Sequence, residues 1–250
     1  LAVITLLLAS ALAGAAWVAI PVWLKLRFGV IEVISTLLLN FVADSLVSLM
    51  VQGPLQERSH IYPQSDPIAA SARLPLLFGT RLHAGFLIAL LGAVVLWFVF
   101  ARTLWGFRLR AVGVGPRAAE VSGGVDSQKM GAMALFLSAA MAGLAGGVEV
   151  SGVSGALFQN LSPGYGFTGI AVALLGGLHP IGVVFAGILF GALEAGAGAM
   201  QREAGVPAVA VYVVEAVIII VALLATAPKG AWSGARIIRR TRPAANRTVG

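Results

Sequence analysis

The chain contains no cysteine, only three histidines and only ten acidic residues. Without cysteine there can be no disulfide and no cysteine-ligated metal. His60, His83 and His179 lie far apart and show no metal-ligand spacing. There is no Gly-x-x-x-x-Gly-Lys-Ser/Thr stretch to hold a nucleotide, so any ATP chemistry belongs to another chain. Ser45, Ser122 and Ser162 have no partner histidine in a nucleophile motif, which argues against an intramembrane hydrolase. Charge is scarce as well: only 11% of residues are Asp, Glu, Lys or Arg, well below the usual share in soluble domains.

What is present is apolar. With 59% hydrophobic residues and a mean hydropathy of +0.95, the chain reads as an all-α, polytopic helical membrane protein with about six to seven spans. The spans are expected near Leu1 to Ile20, Val33 to Val51, Ala84 to Ala101, Met130 to Val148, two shorter pieces within Tyr165 to Met200, and Val206 to Ala227. The membrane-spanning part would occupy residues 1–227, followed by a basic tail over 228–250. Leu1 opens inside an apolar run in which neither a basic n-region nor a cleavage signal is visible, so the sequence is expected to begin partway through a longer protein.

The net charge of +7 could suggest nucleic acid, but its distribution points to membrane orientation instead. Lys25 and Arg27 follow the first span. The loop 102–129 carries Arg102, Arg108, Arg110, Arg117 and Lys129, and the tail carries Lys229 and five arginines. On this count 13 of the 17 Lys and Arg are cytoplasmic. The long loop 52–83 mixes both signs and is expected outside. Parity then requires the segment between the Met130 helix and the last span to cross an even number of times or to dip and return. The turn Gly176-Gly177-Leu178-His179-Pro180 is the natural break, giving a broken or re-entrant helix pair or a plain hairpin.

Within the basic loop, Pro116 suits the first position of a helix, Ala118 and Ala119 favour one, and Gly123-Gly124 would end it. This predicts a surface helix of about two turns. It could be a solvated connector or a docking helix on which a cytoplasmic partner pushes.

Polar residues inside apolar runs carry the argument about function, because each is costly unless it faces a bundle or water. Glu32, Thr36, Asn40, Asp44, Ser48 and Gln52 recur every fourth residue, and Thr36, Asn40 and Asp44 share one face of a helix. Two readings are open for that stripe: one wall of a hydrophilic path, or interhelical hydrogen bonds that hold a bundle. Glu149 and Glu194 are read as lying near helix ends with structural roles. Glu215, at the centre of its run, is the candidate for a proton relay. Gly143/Gly147 and Gly187/Gly191 have spacing that lets helices approach closely. Tyr165 and Phe167 could stack on a base or sit at the membrane interface.

The string LRAVGVGPRAAEVSGGVDSQKMGAMALFLSAAMAGLAG resembles the coupling region of permease subunits of ABC importers for branched-chain amino acids, simple sugars and nucleosides. Pro116, Ala118, Ala119, Ser122, Gly123, Ala142, Gly143, Ala145 and Gly146 match the family's pattern, while Gly124 stands where an aliphatic residue is usual. The block SPGYGFTGIAVALLGGLHPIGVVFAGILFGALEAGAGAM resembles the nucleoside-type branch most. With TLLLNF at Thr36 to Phe41, the resemblance covers nearly the whole chain, and family members of this type carry further helices upstream.

The resemblance implies a bacterial inner-membrane permease, half of a translocation pore, with no ATP site of its own and with its C-terminus in the cytoplasm. Its partners would be a cytoplasmic ATP-binding subunit holding ATP-Mg, a second permease chain, an extracytoplasmic substrate-binding lipoprotein and the lipid bilayer. Pro116, Arg117, Ala118, Ala119, Glu120, Ser122 and Gly123 would couple to the ATPase. Thr36, Asn40, Asp44, Tyr165 and Phe167 would serve the path. A simple-sugar importer is the nearest alternative, and an ion-coupled transporter or a membrane scaffold stand further off.

Overall fold

The computed structural model describes residues 1–77, 79, 82–162, 164–204, 213, 216, 217, 220 and 221. Among the described residues the chain is helical, with only two isolated bridges, Gln64 to Phe158 and Leu76 to His83, outside the helices. It divides into two compact units, Leu1–Gly164 and a second that begins at Tyr165. Glu215 and the basic tail lie outside the described residues, as does most of the expected last span.

The first unit contains α1 (Ala2–Phe28), α2 (Glu32–Gln52), α3 (Gly85–Arg102), α4 (Leu104–Val114), α5 (Pro116–Gly123) and α6 (Ser127–Glu149). α6 runs on through one π turn, Val150–Ser154, so that residues 127–154 form one apolar rod. α1, α2, α3 and this rod are each long and apolar enough to cross a bilayer. α1 continues beyond Ile20, where the sequence suggested its end. Pro21 is fully buried inside the helix, and such prolines are tolerated where neighbours cover the freed backbone. Termination falls to Gly29, at φ 67°, whose N–H donates to the Lys25 carbonyl at 2.9 Å.

α1 and α6 form the main packing pair of this unit, and they run antiparallel. Gly14 lies against Ala139 and Gly143, Ser10 against Gly143 and Gly147, and Lys25 near Gly131. The close approach that Gly143 and Gly147 suggested is therefore realised. It also sets two ends. Lys25 and Lys129 share one of them with α4 and α5. At the other, loop 52–83 is strapped to residues 151–158 by backbone bonds: Ser65 N–H to Leu157 O at 2.7 Å, Ile68 to Gly155 at 2.9 Å and Leu74 to Ser151 at 2.8 Å. About 40 Å of helix separates the ends, at roughly 1.5 Å per residue over the rod.

The described part of the second unit is chiefly α7 (Tyr165–Leu175) and α8 (Pro180–Ala204), packed as a hairpin. The turn between them is tight: a Cβ on Gly182 would lie 2.1 Å from the Gly176 carbonyl oxygen. The two pieces are unequal, unlike the two short segments the sequence suggested. α7 has 11 residues and is too short to cross, whereas the Pro180–Glu203 part of α8 is long and apolar enough to do so. Gly187 and Gly191, read as packing signals, meet almost nothing in this unit: Gly191 has no heavy atom within 4 Å of a built Cβ, and Gly187 has only Val172 at 3.9 Å.

Candidate functional site

The polar stripe lies on α2. Counting from Glu32 at about 1.5 Å per residue, Thr36, Asn40 and Asp44 stand roughly 6, 12 and 18 Å along the helix, so Asn40 and Asp44 fall within a hydrocarbon core of about 30 Å. Their environments differ. The Thr36 hydroxyl is half-buried and donates to its own helix, to the Glu32 carbonyl at 2.9 Å. Asn40 and Asp44 are exposed, and neither side chain makes a hydrogen bond among the described residues. An Asp turned to lipid at a helix centre costs about 2.5–3.5 kcal/mol. Such a face on a spanning helix is costly unless it meets water or polar groups. Among the described residues of the first unit no neighbour takes up the Asn40 or Asp44 side chain.

The basic end is built by two short helices. Thr103 closes the corner after α3: its hydroxyl donates to the Val99 carbonyl at 2.6 Å and accepts the Gly106 N–H at 3.1 Å, capping α4. α4 was not foreseen, because residues 102–115 read as charged loop. Its signal was the helical spacing of Leu104, Phe107, Ala111 and Val114 behind a capping threonine. α5 runs from Pro116 to Gly123 as the sequence implied, with Pro116 at its first position. Gly124 ends it in the left-handed conformation at φ 59°, donating to the Glu120 carbonyl at 3.1 Å, and Val125 N–H reaches the Ala119 carbonyl at 3.3 Å. The departure at Gly124 thus makes the helix stop.

α5 is anchored on one side and open on the other. Ala119 is buried. The Ser127 hydroxyl donates to the Glu120 carboxylate, tying α5 to the start of α6. Asp126 caps α6 by accepting the Lys129 N–H at 3.0 Å, and the Lys129 ammonium lies 3.2 Å away. These contacts, the backbone bond first, hold the Asp126 carboxyl below its ordinary range. Arg117, Ala118 and Ser122 are exposed. Between α4 and α5 opens a groove of about 790 Å³ lined by Phe107, Arg108, Ala111, Val114, Ala118 and Ser122. Val114 and Val121 are 92% and 88% exposed. This is an apolar surface with basic margins, carried on a helix anchored at its C-terminal half through Ala119, Glu120 and Gly124.

Tyr165 and Phe167 occupy the first turn of α7, both exposed, in the second unit. The α2 stripe belongs to the first unit and these two rings to the second. Glu149 ends α6 as expected. Glu194 does not lie near a helix end: α8 continues ten residues past it to Ala204.

At the opposite end, the Glu57 carboxylate organises loop 52–83. It accepts from Gln64 Nε2 at 2.7 Å, from the Ser59 hydroxyl and from Tyr62 N–H at 3.1 Å. The Gln64 bond contributes most to holding the Glu57 carboxyl below its ordinary value. Arg58 pairs with Asp66 at 3.5 Å.

Residues 1–223 match the family described as branched-chain amino acid transport system / permease component. A guanosine ABC transporter permease protein of Bacillus subtilis is 40% identical over 86% of this chain and 62% of its own length. A glucose ABC transporter permease protein of Haloferax volcanii is 35% identical over 85% of this chain and 59% of its own. A nucleoside ABC transporter permease protein of Lactococcus lactis is 34% identical over 80% and 57%. The chain thus spans about three-fifths of the length of these curated relatives. No solved structure matches it. With its membrane-crossing helices and its match over residues 1–223, the chain belongs to the permease-component family of branched-chain amino acid transport systems.

Proposed function

We propose that the chain forms half of the translocation path of a bacterial ABC importer for nucleosides, in the cytoplasmic membrane, driven by a separate ATP-binding subunit. The observation that carries the reading is α5: a short helix with an open apolar face, anchored to α6 through its C-terminal half, at the basic end of a chain whose relatives include guanosine and nucleoside ABC permeases. Charge supports the sidedness. Lys25, the α4–α5 segment and Lys129 belong to the cytoplasm and loop 52–83 to the outside; with α7 too short to cross and α8 long enough to do so, the even number of crossings expected between α6 and the last span is not met.

In this mechanism ATP and its magnesium sit on the partner subunit, which grips the groove between α4 and α5. Its closure moves α5. Because α5 is tied to α6 through Glu120 and Ser127, and α6 is packed on α1 through Gly14 and Gly143, the push passes into the spanning helices and switches the path between outside-open and inside-open. Asn40 offers a donor and an acceptor to a passing base or sugar, Asp44 offers acceptors, and Thr36 supports them. Phe167 and Tyr165 supply rings on which a base can stack. A second permease chain completes the pore, and a lipid-anchored binding protein delivers substrate to the external loops.

The glucose permease among the relatives favours one other reading, a simple-sugar importer with the same coupling. Uptake into vesicles reconstituted with the full-length chain and its partner subunits separates the two. The nucleoside reading expects ATP-dependent uptake of labelled nucleosides that other nucleosides inhibit and glucose does not. Uptake of glucose alone would establish the sugar reading.

A further inference from the structure

α8 carries one ionisable residue between Pro180 and Gln201, and that residue is Glu194. At about 1.5 Å per residue it stands roughly 21 Å from Pro180 and 14 Å from Glu203, so a helix that crosses a core of about 30 Å holds it inside. A glutamate side chain is too short to reach either surface from there. Its side chain is exposed, and among the described residues it makes no hydrogen bond or ion pair. The surface beside it is flat. Gly187, Gly191 and Gly198 precede and follow it at helical spacing on the same face, and a Cβ on Gly191 would meet no heavy atom within 4 Å. A carboxyl group so placed faces water or hydrogen-bond donors, because lipid offers neither. The strip is open at Gly191, whereas at Gly198 the Arg202 guanidinium would lie 3.3 Å from a Cβ.

We infer that Glu194 lines the translocation path and determines specificity by accepting hydrogen bonds from a solute that offers two adjacent donors. This rests on the permease reading above. The two oxygens of a carboxylate match a pair of neighbouring O–H or N–H groups. In a nucleoside, such a pair comes from the ribose 2′,3′-diol or from the amino edge of guanine. Either source would be recognised by the same geometry, and neither would be satisfied by a glutamate at the lipid surface or by a purely structural one.

Residues 1–250 contain no cysteine to compete with one placed at this site, and any cysteine elsewhere in the assembly is first replaced by serine. In the assembled transporter, the Glu194→Cys variant is treated from the aqueous side with a membrane-impermeant cationic thiosulfonate. Labelling is expected, and a transported nucleoside should slow it several-fold. An unlabelled thiol, a thiol that cross-links to a partner chain without being labelled, or labelling that no transported solute slows would each overturn the assignment. Glu194→Gln, which keeps shape and folding, should retain ATP-dependent uptake with altered selectivity. Loss of the preference for adenosine over 2′-deoxyadenosine would identify the diol as the source of the donors, and loss of the preference for guanosine over inosine would identify the amino edge. Unchanged selectivity on both comparisons would overturn the specificity role. If the unmodified transporter carries sugars and no nucleosides, the substrate reading fails on its own, and labelling protected by the transported sugar still decides where Glu194 lies.

Discussion

A Cβ placed on Gly143 would lie 2.2 Å from the Ser10 carbonyl oxygen, so α1 and α6 touch backbone to backbone at this point. Gly143→Ala must push the helices apart, and overpacking of this kind costs about 1–3 kcal/mol. Gly146→Ala is the matched control, since a Cβ there meets nothing within 4 Å. Thermal unfolding of the purified protein should show a lower midpoint for the first variant and an unchanged one for the second. Equal midpoints would mean that this contact is not what joins the helices.

The end of α5 depends on Gly124 at φ 59°. A side chain in this conformation costs about 1–2 kcal/mol, so Gly124→Val should fray the helix end, while Gly123→Ala should leave it intact. Hydrogen exchange at the Val125 amide, which bonds to the Ala119 carbonyl, reads the effect. Exchange should accelerate in the first variant alone.

Asp126 gives a pH dependence of known sign. Its carboxyl is held below its ordinary value of 3.8 by the Lys129 N–H and ammonium, so the folded state binds its proton less readily than the unfolded chain does. The stabilisation it provides is complete above the ordinary value and is lost as pH falls through the lowered one. Asp126→Asn keeps a capping side chain but has no proton to gain. Compared with wild type between pH 5 and pH 2, the variant should lose less stability on acidification. Parallel losses would remove Asp126 as a contributor.

Thr36 and Asn40 share a helix face but should not respond alike. The Thr36 hydroxyl is engaged with its own backbone, whereas Asn40 is exposed and without a hydrogen bond among the described residues. Asn40→Ala should shift substrate selectivity at normal protein yield, and Thr36→Val should change it far less. A fall in yield without a change in selectivity for Asn40→Ala would assign that residue to assembly.

How far the sequence showed these features depended on whether the code was local. α5 was legible because Pro116 and Gly123-Gly124 mark its limits within nine residues, and Gly143 and Gly147 announced a close approach that α1 supplies. α4 was hidden because Arg102, Arg108 and Arg110 drew attention to charge and away from the spacing of Leu104, Phe107, Ala111 and Val114. The first span was expected to end near Ile20, whereas α1 runs on through the buried Pro21 to Phe28. The strap between residues 65–74 and 151–157 consists of backbone bonds between segments far apart in sequence, which no residue type encodes. Glu194 was misplaced because the short pieces inferred around Gly176 and Pro180 put a helix end near it, whereas α8 runs on to Ala204.

The most direct test of the account concerns Val121 on the open face of α5, measured by ATP hydrolysis and nucleoside uptake together in the same vesicles. The Val121→Asp variant places a charge on a surface that is 88% exposed, so the fold should be unaffected. The account predicts that ATP-driven uptake is lost while the binding protein still loads its substrate and docks. Uptake at the unmodified rate, at equal protein level, would contradict the claim that α5 transmits the work of the ATPase to the path.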